Sequence, residues 1–214
     1  MKAAMILSGC GVFDGSEIHE ATILLLVLAQ MGYQVDFFSL NQEMDEAISH
    51  ITQRPLHLAM NIMEMSARIA RGEISDMQKL QAQDYDLLAV PGGYGVATNF
   101  SNFAKLGVHC MVDPQVARVI EEFFEKKRWI VGMCIAPMIL AKVLNQKSVK
   151  MTVGDQENDL KQLSALGVQA VKCSANQGCL DEINRIYTAP GYLANKSNPA
   201  TIYQSLQKLR EVLP

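Results

Sequence analysis

A cysteine between a short apolar run and a proline is the residue of this chain best placed for chemistry. In Trp129-Ile-Val-Gly-Met-Cys-Ile-Ala-Pro-Met-Ile-Leu-Ala-Lys-Val-Leu144 the apolar run stops at Gly132 and a helical pattern starts by Pro137. The chain must therefore reverse direction at Cys134. Such a strand-to-helix elbow needs small residues two before and two after the nucleophile, and Gly132 and Ala136 meet that need. Pro137 suits a first helical turn, where its missing N–H would have had no partner anyway. A thiol there faces unpaired N–H groups and the positive helix end, which can lower a cysteine pKa from roughly 8.5 into the 3.5–7.5 range. The same position also suits an inert cysteine that packs between strand and helix.

Two further stretches could complete a site. Glu17, in Asp14-Gly-Ser-Glu-Ile-His-Glu20, stands where the loop after a first strand becomes a helix. In a doubly wound sheet such loops line the crevice at the carboxyl ends of the strands. Glu17 reads either as an acid facing that crevice or as a charge that starts the helix. His19 and Glu20 read as solvated or loop-facing surface. Pro91-Gly92-Gly93-Tyr94-Gly95 follows an all-apolar strand, and adjacent glycines let backbone N–H groups converge as an oxyanion hole requires, or simply form a tight turn. Asn99-Phe-Ser-Asn102 then opens a polar loop. Ser8-Gly-Cys-Gly11 is no dinucleotide fingerprint, because the third glycine would fall on Asp14.

The elements that must hold these residues alternate between strand and helix. Strands are expected at Ala3–Leu7, Tyr33–Leu40, Asp86–Val90, Trp129–Val131, Val149–Val153, Val168–Cys173 and Ile183–Thr188. Helices are expected at Ala21–Met31, Asp113–Lys127, Asp155–Leu166 and from Asn198-Pro199 onward, where Ile202, Leu206, Leu209 and Leu213 recur at helical spacing. This order predicts an α/β three-layer sandwich with a mainly parallel sheet. Residues 41–85 exceed what one crossover needs. They are expected to form a helical insertion in a single domain spanning 1–214, with a short helix before Pro55 and a Met-rich helix over Leu58–Ile69.

Composition narrows the function classes. A net charge of −3 with pI near 5.8 gives no basic footprint for nucleic acid. The N-terminal apolar run is too brief for a signal peptide or a membrane span, so a soluble, cytoplasmic protein is expected. Five cysteines at irregular spacings, without a C-x-x-C pair, argue against a disulfide framework or a zinc site, and no cofactor is expected.

The three motifs together, Ser8-Gly-Cys-Gly-Val-Phe-Asp-Gly-Ser-Glu-Ile-His-Glu20, Pro91-Gly-Gly-Tyr-Gly95 with Asn99-Phe-Ser-Asn-Phe-Ala104, and Met133-Cys-Ile-Ala-Pro137, resemble the ElbB group of the ThiJ/PfpI superfamily. The resemblance implies a flavodoxin-like, class I glutamine-amidotransferase-like fold. It puts the elbow nucleophile on Cys134, its partner acid on Glu17 and the oxyanion amides on Gly93 and Ile135, with Gly92 and Asn102 completing the substrate-binding set. It further implies a glyoxalase III-type lyase that converts glyoxal or methylglyoxal to a 2-hydroxy acid without glutathione, and a homodimer. Oxidation of Cys134 in a redox-sensing module is the alternative, and an amidotransferase-like subunit is the third reading. Peptidases of the superfamily carry histidine directly after the cysteine, where this chain has Ile135, and all four histidines precede Cys134.

Overall fold

In the computed structural model, which describes residues 1–213, the first strand β1 (Lys2–Ile6) is buried beyond its opening lysine. Continuous apolar runs of this kind suit parallel strands covered on both faces. β2 (Gln34–Ser39), β3 (Ile74–Asp76), β4 (Leu87–Val90), β5 (Trp129–Met133), β8 (Cys179–Asp181) and β9 (Ile186–Ala189) join it in a seven-stranded sheet of order β3-β2-β1-β4-β5-β9-β8. Only the β8–β9 pair is antiparallel; Ala3 pairs with Leu87, Leu88 with Ile130 and Val131 with Tyr187 in parallel register. β6 (Lys150–Gly154) and β7 (Gln169–Lys172) form a separate parallel pair, tied to the main sheet where the Thr152 N–H donates to Thr188 Oγ1 at 2.8 Å.

The helices are α1 (Ile18–Gln30), α2 (Ile62–Ser66), α3 (Gly95–Thr98), α4 (Phe103–Leu106), α5 (Pro114–Glu125), α6 (Ala136–Val143), α7 (Glu157–Ala165), α8 (Pro199–Gln207) and α9 (Leu209–Val212). Alternation along the strands divides the core into two layers. Ala3, Met5, Leu87, Ala89, Val131 and Met133 meet Leu24, Val27 and Leu28 of α1 and Ile202 and Leu206 of α8. Ala4, Ile6, Leu88, Val90 and Ile130 meet Val119, Ile120 and Phe123 of α5 and Ile139 and Leu140 of α6. The expected three-layer, mainly parallel sandwich is therefore present. β1 is flanked by β2 on one side and β4 on the other. This is a topological switch point, where the loops after the strands open a crevice.

The insertion is less helical than expected. Among the described residues no helix lies between β2 and Pro55; Glu43 bridges Asn61 and Ile48 bridges Pro55 in extended pairs instead. The Met-rich helix shrinks to α2, because the Asn61 side chain caps the N–H groups of Met63 and Glu64 and fixes the start. The insertion also supplies β3, an edge strand whose three residues, Ile-Ser-Asp, carry no apolar run. The last expected strand begins at Ile186, with Ile183 exposed in the turn that follows β8.

Candidate active site

Cys134 turns between β5 and α6 with a φ of 56°, a left-handed conformation that costs a side-chain-bearing residue on the order of 1–3 kcal/mol. The turn is held by its own N–H, which donates to the Ala189 carbonyl at 2.9 Å. The backbone N–H groups of Gly93 and Ile135 both bond the sulfur, so the expected amide pair does converge there.

The acid against the thiol is Glu20. Its carboxyl bonds the Cys134 thiol, and it accepts from the Gly92 N–H at 3.0 Å and the Tyr192 N–H at 2.9 Å. Glu17 instead sits at the N-cap of α1 and accepts the Glu20 N–H at 2.8 Å. The helix-starting role of Glu17 is thus the one the geometry shows, and the acid that touches the thiol lies one turn further on. The surface assignment of Glu20 also fails, since it is fully buried. Its register explains this. α1 buries Glu20, Leu24, Val27 and Leu28, a stripe at helical spacing that begins with the carboxylate. That stripe, readable in the sequence, is the signal that could have found it.

Burial pushes the Glu20 carboxyl up to about 7; the Glu17 charge adds to the rise, while the Tyr192 N–H opposes it. Burial likewise pushes the Cys134 thiol well up, and the Glu20 charge adds to it against the Gly93 N–H. The expected lowering by the helix end is outweighed, because a thiol 8% exposed and beside a carboxylate loses more hydration than one dipole restores. The pair therefore keeps at least one proton at neutral pH. A carboxyl that rises from its ordinary 4.5 to about 7 on folding binds extra protons in the fold between those values. Stability accordingly falls as pH rises through that window, by on the order of 3 kcal/mol from this group. Urea midpoints at pH 5 and pH 8 should show this fall in the wild type and a smaller one in Glu20→Gln; equal falls would sink the assignment.

The walls are backbone. A Cβ placed on Gly92 would stand 2.5 Å from Glu20 Oε2, and one on Gly191 would stand 2.8 Å from Cys134 Cβ. Both approaches are too close for any side chain. The loops after β1 and β4 are laced together: the Glu17 N–H donates to Gly92 O at 2.9 Å, the Tyr94 N–H to Val12 O at 2.8 Å and the Gly95 N–H to Gly15 O at 3.0 Å. Asn99 Nδ2 adds 2.8 Å bonds to Ser8 O and Asp14 O. Asn102 is not part of this assembly. Its Oδ1 accepts the Met111 N–H at 2.7 Å and so closes the 102–111 loop. At the mouth, His19 Nδ1 bonds Tyr192 Oη at 2.7 Å and lies 4.0 Å from Glu17 Oε1. Among the described residues no imidazole bonds the sulfur. His19 is committed to Tyr192, and His50 to Ile48 and Phe13.

Comparison with known proteins agrees with this architecture. A human protein named glutamine amidotransferase-like class 1 domain-containing protein 3, mitochondrial, is 38% identical over 202 residues, covering 90% of this chain and 75% of its own. The rat ES1 protein homolog, mitochondrial, is 38% identical with the same coverage. The solved isoprenoid biosynthesis protein with amidotransferase-like domain from Ehrlichia chaffeensis superposes with a TM-score of 0.92 at 30% identity, covering all of both chains. Drosophila melanogaster DJ-1beta shares the fold at a TM-score of 0.57 and 19% identity, over 98% of this chain and 88% of its own. The mitochondrial naming of the curated relatives, zebrafish ES1 protein included, overturns the expected cytoplasmic location. The DJ-1/PfpI family matches residues 6–191, and this chain belongs to it.

Proposed function

We propose that the Cys134 site converts glyoxal or methylglyoxal to the corresponding 2-hydroxy acid without glutathione. The observation that carries this reading is the convergence on one sulfur of a carboxyl that titrates near neutrality and two amide N–H groups. Glu20 takes the thiol proton as the sulfur attacks the aldehyde carbon, giving a hemithioacetal whose oxyanion the Gly93 and Ile135 N–H groups hold. Glu20 returns the thiol proton to the hemithioacetal oxygen and, as a carboxylate again, moves the proton of that carbon to the neighbouring carbon while the hydroxyl proton passes to the second oxygen, turning the second carbonyl into a carbinol and the first into a thioester. Water releases glycolate or lactate and restores the thiol. The reaction is an internal redox exchange between two carbons, so no external oxidant is needed. Aldehydes are far more electrophilic than amides, which suits a thiol with a carboxylate partner and no imidazole.

Glyoxal and methylglyoxal consumption without added glutathione, with glycolate and lactate identified as products, tests the proposal. Turnover to those acids is the expected result, and an inert wild type sinks it. A second reading, redox sensing, draws on the same contact: a carboxyl that stays protonated near neutral pH can donate to the oxygens of an oxidised Cys134. In that case mild peroxide should add one or two oxygens at Cys134 selectively, while dicarbonyls are left untouched.

A further inference from the structure

Two neighbouring residues at the start of α1, His19 and Glu20, are held by one residue from the far end of the chain. The turn that follows β9 is closed by the Leu193 N–H on Pro190 O at 3.2 Å and by Ser197 Oγ, which donates to Gly191 O at 2.6 Å. It meets α1 through two atoms of Tyr192. The backbone N–H donates to Glu20 Oε1 at 2.9 Å, and the phenol oxygen bonds His19 Nδ1 at 2.7 Å. Either imidazole tautomer makes the second bond, because a phenol can donate or accept. The two rings lie 5.9 Å apart between centroids, a spacing at which aromatic pairs attract. Nδ1 also stands 4.0 Å from Glu17 Oε1, while Glu17 Oε2 takes the Glu20 N–H at 2.8 Å.

The Glu20 carboxyl is oriented by two backbone segments, since Oε1 accepts from Tyr192 and Oε2 accepts from Gly92. The Gly92 segment is secured by the lacing to the loop after β1. The 190–193 segment turns through Gly191 at a φ of 54°, and among the described residues its hydrogen bonds to α1 are the two made by Tyr192. We propose, resting on Glu20 as the acid–base group of the reaction above, that His19 and Tyr192 are positioning residues: their side-chain bond clamps the 190–193 turn against α1 and so keeps the Tyr192 N–H on Glu20 Oε1 and the carboxyl on the Cys134 thiol. The groups that face this carboxyl are the thiol, the Glu17 carboxylate and the two N–H groups. An N–H bond to a carboxylate favours its charged form. Loosening the clamp weakens the Tyr192 bond and leaves burial and the Glu17 charge in place, so the Glu20 titration midpoint moves up. Loss of a hydroxyl that merely packs would not move it.

Carbon-13 NMR of the full-length protein labelled at the glutamate carboxyls reads that midpoint, with the Glu20 signal assigned by its loss in Glu20→Gln. Tyr192→Phe carries the test, because it removes one oxygen and no charge. His19→Phe and the double variant complete a cycle. Tyr203→Phe is the control, since Tyr203 Oη donates to Gln30 Oε1 at 3.1 Å at the other end of α1. The expected result is a midpoint about half a pH unit higher in Tyr192→Phe and in His19→Phe, no further rise in the double variant and none in Tyr203→Phe. In the glyoxal assay near neutral pH, Tyr192→Phe should lower kcat about fivefold and leave KM within about twofold. An unchanged midpoint in Tyr192→Phe, an equal rise in Tyr203→Phe, or rises that add in the double variant would overturn the clamp. A wild type inert toward dicarbonyls would instead refute the proposed reaction, and the midpoints would still decide the clamp.

Discussion

Cys134→Ala is expected to bring glyoxal consumption down to that of buffer, and Glu20→Gln to lower kcat by about 100-fold or more, as loss of a general acid–base group does. Glu17→Gln is the informative contrast. An amide oxygen can still accept the Glu20 N–H, so the α1 cap survives, and the loss of a nearby negative charge should let the Glu20 carboxyl ionise more readily. Activity of that variant should stay within about tenfold of the wild type, with the acid limb of its pH profile moved to lower pH. Equal collapse of Glu17→Gln and Glu20→Gln would mean that the acid in contact with the sulfur is not the one that moves the proton. Steady-state kinetics from pH 5 to pH 9 on the three variants decides the matter.

Gly191→Ala is expected to be nearly as damaging without removing any functional group. The new methyl would overlap the Glu20 carboxyl and stand 2.8 Å from Cys134 Cβ, on a backbone with a φ of 54°. Glu20 and the elbow must move apart to admit it. Overpacking of this kind typically costs 1–3 kcal/mol, so about 2 kcal/mol of stability should be lost. A displaced acid–thiol contact should also lower kcat by about 100-fold, since misplacement by an ångström can cost that much. Gly32→Ala is the control, because nothing lies within 4 Å of a Cβ there even though its φ is also positive, at 81°. Circular dichroism melts with parallel assays separate the two glycines; wild-type activity in Gly191→Ala would refute the geometry of the site.

What could be read in advance divides along physical lines. The central strands were evident because parallel strands buried on both faces read as unbroken apolar runs, as in Leu87-Leu-Ala-Val90. The elbow was evident because Gly132, Ala136 and Pro137 satisfy local steric needs. β3 and β8 escaped notice because three-residue edge strands are defined by their partners rather than by their own pattern. Among the site residues, Cys134, Gly93 and Ile135 share a stretch of backbone or a tight turn with recognisable chemistry. The misplaced acid is a matter of phase: a shift of three residues along a helix keeps nearly the same face, so only the stripe through Leu24 and Val27 distinguishes Glu20 from Glu17. The resemblance puts Asn102 in the substrate-binding set, but its Oδ1 accepts the Met111 N–H and holds the side chain to its own loop. Tyr192 and Gly191 could not be anticipated. They reach Glu20 from more than 170 positions away through one backbone N–H and one missing side chain.

The backbone lacing around the crevice has a consequence for how this scaffold could be retargeted. Its inner wall is built from atoms every residue shares, at Gly92, Gly93, Gly191 and Ile135, and offers a protein engineer nothing to exchange without breaking it. Selectivity must instead be written on the laced loops and the start of α1, at Val12, Ile18 and Tyr94, whose side chains are exposed or partly so. A combinatorial library confined to those three positions would vary the exposed side chains of these segments while leaving the glycines of the inner wall and the sheet beneath them untouched.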